Sequence, residues 1–377
     1  MIGFGIVIPI LPFITPRLGG STFDIALIIV AYGIAASLVG PFWGRLSDRI
    51  GRKPVLMICT GGAGLAYLML AGADELWMVY FARTVAGLMA GNFPVASAMM
   101  ADVTTPNERA RGMGVIGAAF GLGLVLGPVV GGLLAGPEGS FTVPCLLSAV
   151  MSALAVLAAW RYLPESRTGR GNVTSDEPRG GLWSALRASG TRLLLLQYVL
   201  HSGAVGVATY LFPLWVFALL DWQAREVGIV FGVLGAVMAL NQGLLMGRLV
   251  RWLGELTLLR VSVSLFLFGQ VLAVFASGPV SMVTALVLGL GGATLCTPVL
   301  NAMVSRSVSA DERGRVLGAS STAAGVGRVS GPLMAGALLS LLGFRAAWIL
   351  SAVMVAFYWG WALFYLRRDM AIVHEAH

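Results

Sequence analysis

Asp48 is the single acid in a run of cations, with Arg45, Arg49, Arg52 and Lys53 around it and Gly44 and Gly51 on either side. The glycines permit turns and close approach of neighbouring helices. A solvated turn accounts for the cations but not for one carboxylate held between two glycines. Arg83 and Arg328 pose the opposite problem, because each lies inside a long apolar run. A charge within a membrane costs several kcal/mol, so each must face a wet cavity or a partner. Arg83 reads as a contact to substrate or to a proton-carrying carboxylate, or else as a structural arginine bonded to backbone carbonyls. Arg328 reads as a cavity residue or a structural pair. Asn92, Gln197, His201, Asn241, Gln242 and Asn301 are further polar groups in apolar runs. Each suits an interhelical hydrogen bond at least as well as a substrate contact. None of the 17 acidic residues falls near the middle of such a run, and Asp24 and Asp102 lie at run ends. An imidazole ordinarily titrates near neutral pH, so His201 is a group that could take up a proton; a structural histidine is the plainer reading. Cys59, Cys145 and Cys296 stand singly, with no Cys-x-x-Cys, so neither a disulfide framework nor a zinc site is expected. No phosphate-binding loop is present. The expected chemistry is binding and charge movement without covalent change: not an enzyme, and with no metal and no cofactor.

The elements that must position these residues are membrane helices. The chain has 377 residues, 58% hydrophobic and 11% charged, with a mean hydropathy of +0.86. Soluble domains carry about 25% charge, so a soluble enzyme, a nucleic-acid binder and a disordered chain are excluded. The 50 glycines lack a three-residue period and suit closely packed membrane helices. A crossing needs about 20 mostly apolar residues. Twelve spans are predicted, at 1–15, 22–43, 54–73, 76–100, 112–136, 141–162, 192–218, 226–247, 256–276, 280–304, 314–341 and 345–366. Unbroken runs of this length are helical rather than barrel strands.

Charge placement gives the orientation. With the loop after span 2 in the cytoplasm, 20 of the 25 Lys and Arg residues fall on that side and 3 outside, leaving Arg83 and Arg328 within spans. This is a positive-inside distribution with both termini cytoplasmic. The net charge of +8 therefore reflects topology, and no nucleic-acid partner is needed. The chain also repeats itself. Residues 107–136 and 311–340 share 12 identities in 30 at an offset of 204, including Gly127-Pro128 with Gly331-Pro332. Gly44-Arg45-Leu46 pairs with Gly247-Arg248-Leu249 at an offset of 203, as does Gly51 with Gly254. Leu124 is the counterpart of Arg328, so the halves differ there. Two parallel six-helix bundles around a midplane cavity form an alternating-access architecture. The expected divisions are an N-terminal bundle over 1–162, a cytoplasmic linker over 163–190 with a short surface helix at 182–188, and a C-terminal bundle with a short tail over 191–377. Span 1 has about 15 residues before its loop, short of the roughly 20 needed, so about a dozen N-terminal residues are expected to be missing.

Four stretches carry a family resemblance. Gly44-Arg45-Leu46-Ser47-Asp48-Arg49-Ile50-Gly51-Arg52-Lys53 resembles the signature loop of the major facilitator superfamily. Arg83 with Gly87 and Gly91 resembles the span-4 motif of its twelve-helix drug:proton antiporter branch, and Gly3, Gly5, Pro9, Leu11 and Pro12 resemble the span-1 signature. Gly114, Gly123, Gly127, Pro128, Gly131 and Gly132 are similar to the span-5 motif of exporters, and tetracycline and multidrug efflux proteins are the closest look. The resemblance implies an all-α integral membrane fold of twelve helices in two pseudo-symmetric bundles. It implies that Gly44, Asp48, Arg49, Gly51 and Arg52 form a conformational latch, Asp48 meeting the N-terminus of span 11. Pro128 is expected to kink span 5 near Gly127, and Gly331-Pro332 repeats the device in span 11, as hinge, seal or simple small-residue packing. Arg83, Asn92, His201, Gln242, Asn301 and Arg328 are the candidate substrate and coupling residues. The branch usually carries a span-1 Asp three positions before the first signature glycine, which falls just before Met1.

The expected function is proton-coupled efflux of small amphipathic drugs or metabolites, by a functional monomer in the lipid bilayer of a bacterial inner membrane. The alternatives are an uptake permease of the same fold for a small metabolite, and a non-transporting membrane receptor or scaffold.

Overall fold

The computed structural model describes residues 2–7, 10–105, 109–135, 140–166, 191–307 and 310–364, and among them every regular element is a helix. The residues fall into two compact units, one of Met1–Thr174 with Trp222–Gly235, the other of Ser175–Asp221 with Ala236–His377. Eight helices are long and apolar enough to cross a bilayer among the described residues. Two of them, Ala224–Phe275 and Gly318–Phe364, run to 52 and 47 residues. A single crossing takes about 20, so each holds more than one pass. The surface 182–188 helix and the 163–190 linker beyond residue 166 lie outside the described residues.

The first unit begins with α1 (Ile2–Val7) and α2 (Leu11–Arg17), which divide predicted span 1 between them. α3 (Thr22–Ile50) starts on a capping box: Asp24 N–H donates to Ser21 Oγ at 3.2 Å and Ser21 N–H donates to Asp24 Oδ2 at 2.7 Å. These bonds satisfy donors that an α-helix leaves open at its start. α4 (Arg52–Ala71) follows directly, across Gly51 at φ 106°. That φ belongs to a region glycine enters without a Cβ clash.

Predicted span 4 lies within the apolar crossing Leu76–Val103, which is interrupted partway. α5 (Leu76–Leu88) stops and α6 (Asn92–Val103) starts after an interruption at 89–91. Pro94 lacks the N–H that would bond the Ala90 carbonyl, and Trp43 of α3 lies at the break. Its indole N–H donates to the Leu88 carbonyl at 2.6 Å, and its ring fills the space a Cβ on Gly91 would need. A side chain inserted into the carbonyl ladder is a recognised source of a helix break. α7 (Arg109–Ala135) stays helical through Pro128, and α8 (Thr142–Tyr162) closes the unit.

The second unit holds α9 (Thr191–Leu220), the later part of α10 (Ala224–Leu240), α11 (Met246–Phe275), α12 (Pro279–Ser307) and α13 (Ala310–Phe364). α10 runs into a π-helical turn at Asn241–Leu245, inside predicted span 8. Asn241 Nδ2 holds that turn to α12, donating to Gly291 O and Thr294 Oγ1 at 3.0 Å each. α11 and α13 are each turned by a glycine with positive φ, Gly254 at 72° and Gly343 at 81°. The turns separate predicted spans 8 from 9 and 11 from 12.

Candidate functional site

Asp48 and Arg52 lie on either side of Gly51 and face each other at 2.9 Å. Arg52 is only 8% exposed and spends its guanidinium on three partners. Nη1 contacts Asp48 Oδ1 and donates to Ser47 Oγ at 2.6 Å, while Nε donates to Asp102 Oδ2 at 3.0 Å. The arginine thus ties the end of α3 to the end of α6. Glu165, beyond α8, supplies the remaining acid. Its carboxylate accepts from the backbone N–H groups of Arg52 and Lys53 at 2.9 and 3.1 Å. A negative group at a helix N-terminus satisfies open donors and complements the helix dipole. Ser166 Oγ also donates to Asp102, at 3.3 Å. The network therefore joins the ends of four helices through charge-assisted bonds, which are stronger than neutral ones.

Several sequence expectations change here. Asp102 and Glu165 were not among the expected site residues, although Leu163-Pro164-Glu165 after an apolar helix marks a helix stop beside an acid. Gly44 is not a point of close approach: it lies inside α3, and a Cβ there would meet nothing within 4 Å. Arg49 is exposed in the last turn of α3. The side chains at 304–315, including the expected facing helix start, lie outside the described residues.

The glycine face of α7 is a second site in the first unit. A Cβ on Gly5 would lie 2.7 Å from Gly123 O and 3.1 Å from Gly127 Cα. A Cβ on Gly131 would lie 2.6 Å from Ile6 O. Those contacts press α7 against α1, backbone to backbone. On its other side Gly132 meets Ala224 and Gly228, and a Cβ on Gly228 would lie 2.5 Å from Pro128 O. α7 is therefore wedged between α1 and the first turns of α10, where only glycine fits. The surroundings of Gly114 lie outside the described residues. In the second unit Gly331 and Pro332 play a matching part, with Gly203 and Gly206 of α9 against them.

Arg83 is 3% exposed, and its guanidinium lies 4.5 Å from the centre of the Tyr32 ring. A cation over a desolvated aromatic face gains about 2 kcal/mol, part of the cost of burying it. Asn92 starts α6 with Oδ1 buried and without a hydrogen-bond partner among the described residues. In the second unit His201 packs edge-on against Phe266 and Tyr358, with Nε2 3.1 Å from Thr297 Oγ1. One turn earlier Tyr198 donates to Asn301 Oδ1 at 2.5 Å. His201 and Asn301 thus belong to one interhelical seam between α9 and α12, which favours the bonding role over a free binding surface. Gln242 is exposed on the π turn and Arg328 is exposed on α13. Among the described residues no group of His, Cys, Asp and Glu side chains could hold a metal ion.

Comparison with known proteins gives one consistent picture. The family model described as Major Facilitator Superfamily matches residues 1–296 and 258–375. The class C tetracycline resistance protein of Escherichia coli is 31% identical, over 94% of this chain and 91% of that one. The class H protein of Pasteurella multocida is 27% identical, over 97% and 94%. Among solved structures, the human organic anion transporter MFSD10 (TETRAN) superposes with a TM-score of 0.70 at 23% identity, covering 96% of this chain and 95% of that one. The nucleoside transporter NupG superposes at 0.74 with 15% identity, over 98% and 96%. At these identities the two structures establish the fold.

Proposed function

The chain belongs to the Major Facilitator Superfamily, and on that premise we propose that this multi-pass membrane transporter is a proton-coupled exporter of small amphipathic compounds. It works as a monomer in a bacterial inner membrane, with twelve crossings in two bundles over 1–162 and 191–377 and both termini cytoplasmic. The observation that carries the export reading is the glycine face of α7, pressed backbone to backbone against α1 on one side and α10 on the other. Contacts without intervening side chains seal one end of a cavity tightly and part without untangling side chains. The similarity to tetracycline resistance proteins along nearly the whole chain supports the same direction of transport and makes tetracycline the first compound to try.

In this reading the Asp48–Arg52–Asp102 network is the latch on the cytoplasmic side. It fixes the turn between α3 and α4 so that Asp48 is held ready for a facing helix start. Arg83, held over Tyr32, supplies a fixed positive charge in the membrane for an anionic group of substrate or of the coupling machinery. Gln242 and Arg328, exposed within apolar spans, line the transport path. The test is a drug-susceptibility panel on a strain lacking and then overexpressing the gene. Overexpression should raise the inhibitory concentration of tetracycline or another amphipathic drug several-fold. An unchanged panel, or increased sensitivity, would overturn export.

A further inference from the structure

A groove of about 520 Å3 runs along the outside of the first unit between α4 and α8. Its lining is apolar. Gly61, Leu65 and Leu68 of α4 and Ala153, Leu157 and Trp160 of α8 line it. The recess exists because side chains are missing. Gly64 lets α4 approach Ser152 so closely that a Cβ would come within 3.0 Å, whereas a Cβ at Gly61 would meet only Val156, at 3.8 Å. From Met57 to Leu68 the groove follows α4 for about 16 Å at the usual helical rise. Its volume falls within the usual range of ligand pockets, about 300–1,000 Å3.

One end of the groove is basic. Lys53 Nζ donates to the Trp160 carbonyl at 2.8 Å, where Trp160 closes the groove. An ammonium has three donors, so two remain for another acceptor. Arg161, which follows Trp160 along α8, is exposed, its guanidinium 5.3 Å from the centre of the exposed Tyr162 ring. Exposed Trp and Tyr beside cations mark the headgroup level of a bilayer. The Glu165 carboxylate accepts from the backbone N–H groups of Arg52 and Lys53. An apolar channel at acyl-chain depth that ends on two cations at headgroup depth complements one class of molecule.

We propose that the groove between α4 and α8 is a binding site for an anionic phospholipid, one acyl chain along Gly61 and Ala153 and the phosphate at Lys53 and Arg161. In the orientation proposed above the lipid comes from the cytoplasmic leaflet. Attraction between anionic lipid and each surface cation is appreciable, and a continuous groove fixes the chain that plain annular lipid leaves free.

The test is native mass spectrometry of the delipidated full chain, titrated with phosphatidylglycerol or with phosphatidylcholine of the same acyl chains. The wild type should retain one phosphatidylglycerol about tenfold more strongly than phosphatidylcholine. Gly61→Leu and, separately, Ala153→Leu fill the groove from opposite helices, and each should reduce retention of both lipids about tenfold. Lys53→Gln with Arg161→Gln should abolish the preference for phosphatidylglycerol, bringing its retention down to that of phosphatidylcholine in the same variant. Thermal unfolding identifies any variant that has lost its fold, and the remaining variants carry the decision. Equal retention of the two lipids by the wild type would overturn the proposal. So would wild-type binding in the folded groove variants, or a dimer of the chain that disappears when the groove is filled.

Discussion

Gly51 ends α3 at φ 106° and ψ 157°, and Gly254 turns the chain within α11 at φ 72° and ψ 162°. The two positions correspond at an offset of 203, and the backbone makes the same departure from helix at both. The residues around them differ in sign. Where the first repeat has Asp48 and Arg52, the second has Arg251 and Glu255. At Gly51 a Cβ would collide with the Glu165 carboxylate, while at Gly254 it would meet nothing within 4 Å. The turn therefore demands the glycine and leaves the charges free, so the charges of the first turn answer to something other than reversing the chain. A third feature is shared. Lys53 Nζ donates to the Trp160 carbonyl at 2.8 Å, and Arg260 donates to the Ala362 and Leu363 carbonyls at 3.1 and 2.7 Å. In both units a cation near the start of one helix caps the last carbonyls of another.

The largest contrast expected is in transport. Asp48→Asn should abolish drug export at unchanged membrane insertion, while Arg251→Gln, its counterpart, should keep most of it; export assays normalised to membrane-inserted protein measure both. Equal losses would remove the distinction between the two turns. Next in size is a stability contrast. Gly51→Ala forces a left-handed backbone costing about 1–2 kcal/mol and displaces the Glu165 cap, worth about 1 kcal/mol more. Gly254→Ala incurs only the first cost. Thermal unfolding in detergent should therefore place Gly51→Ala below Gly254→Ala. Glu165→Gln keeps the shape but only one acceptor oxygen, so it loses one of the two backbone N–H bonds and the charge at the α4 N-terminus, a cost of about 1 kcal/mol. The smallest effect is at the caps. Arg260→Met breaks two bonds and Lys53→Met one, so Arg260→Met should unfold at the lower temperature.

How far the sequence alone reached depends on distance along the chain. The apolar spans, the positive-inside pattern and the repeat are local or periodic, and each could be read residue by residue. The turn at Gly254 could be read because Gly51 repeats there. The Trp43 bond at the break in span 4 could not, because its partner carbonyl at Leu88 lies 45 residues away and indole donors carry no pattern. Glu165 reaches Arg52 across 113 residues, and Asp102 reaches it across 50. Arg83 was legible as a buried charge, but the ring of Tyr32 beneath it was not. The π turn at Asn241 depends on acceptors in α12, which no local preference records. Motif residues that act through the backbone were thus visible in advance, and their side-chain partners needed the fold.

The most direct measurement is tetracycline accumulation in inverted membrane vesicles energised with an acidic interior. With the wild type, drug should accumulate while the gradient stands and leak out when a protonophore collapses it, and vesicles carrying equal amounts of Asp48→Asn should accumulate none. Accumulation that ignores the gradient, or that is the same in the two proteins, would contradict a proton-driven exporter held by the charges of its first turn.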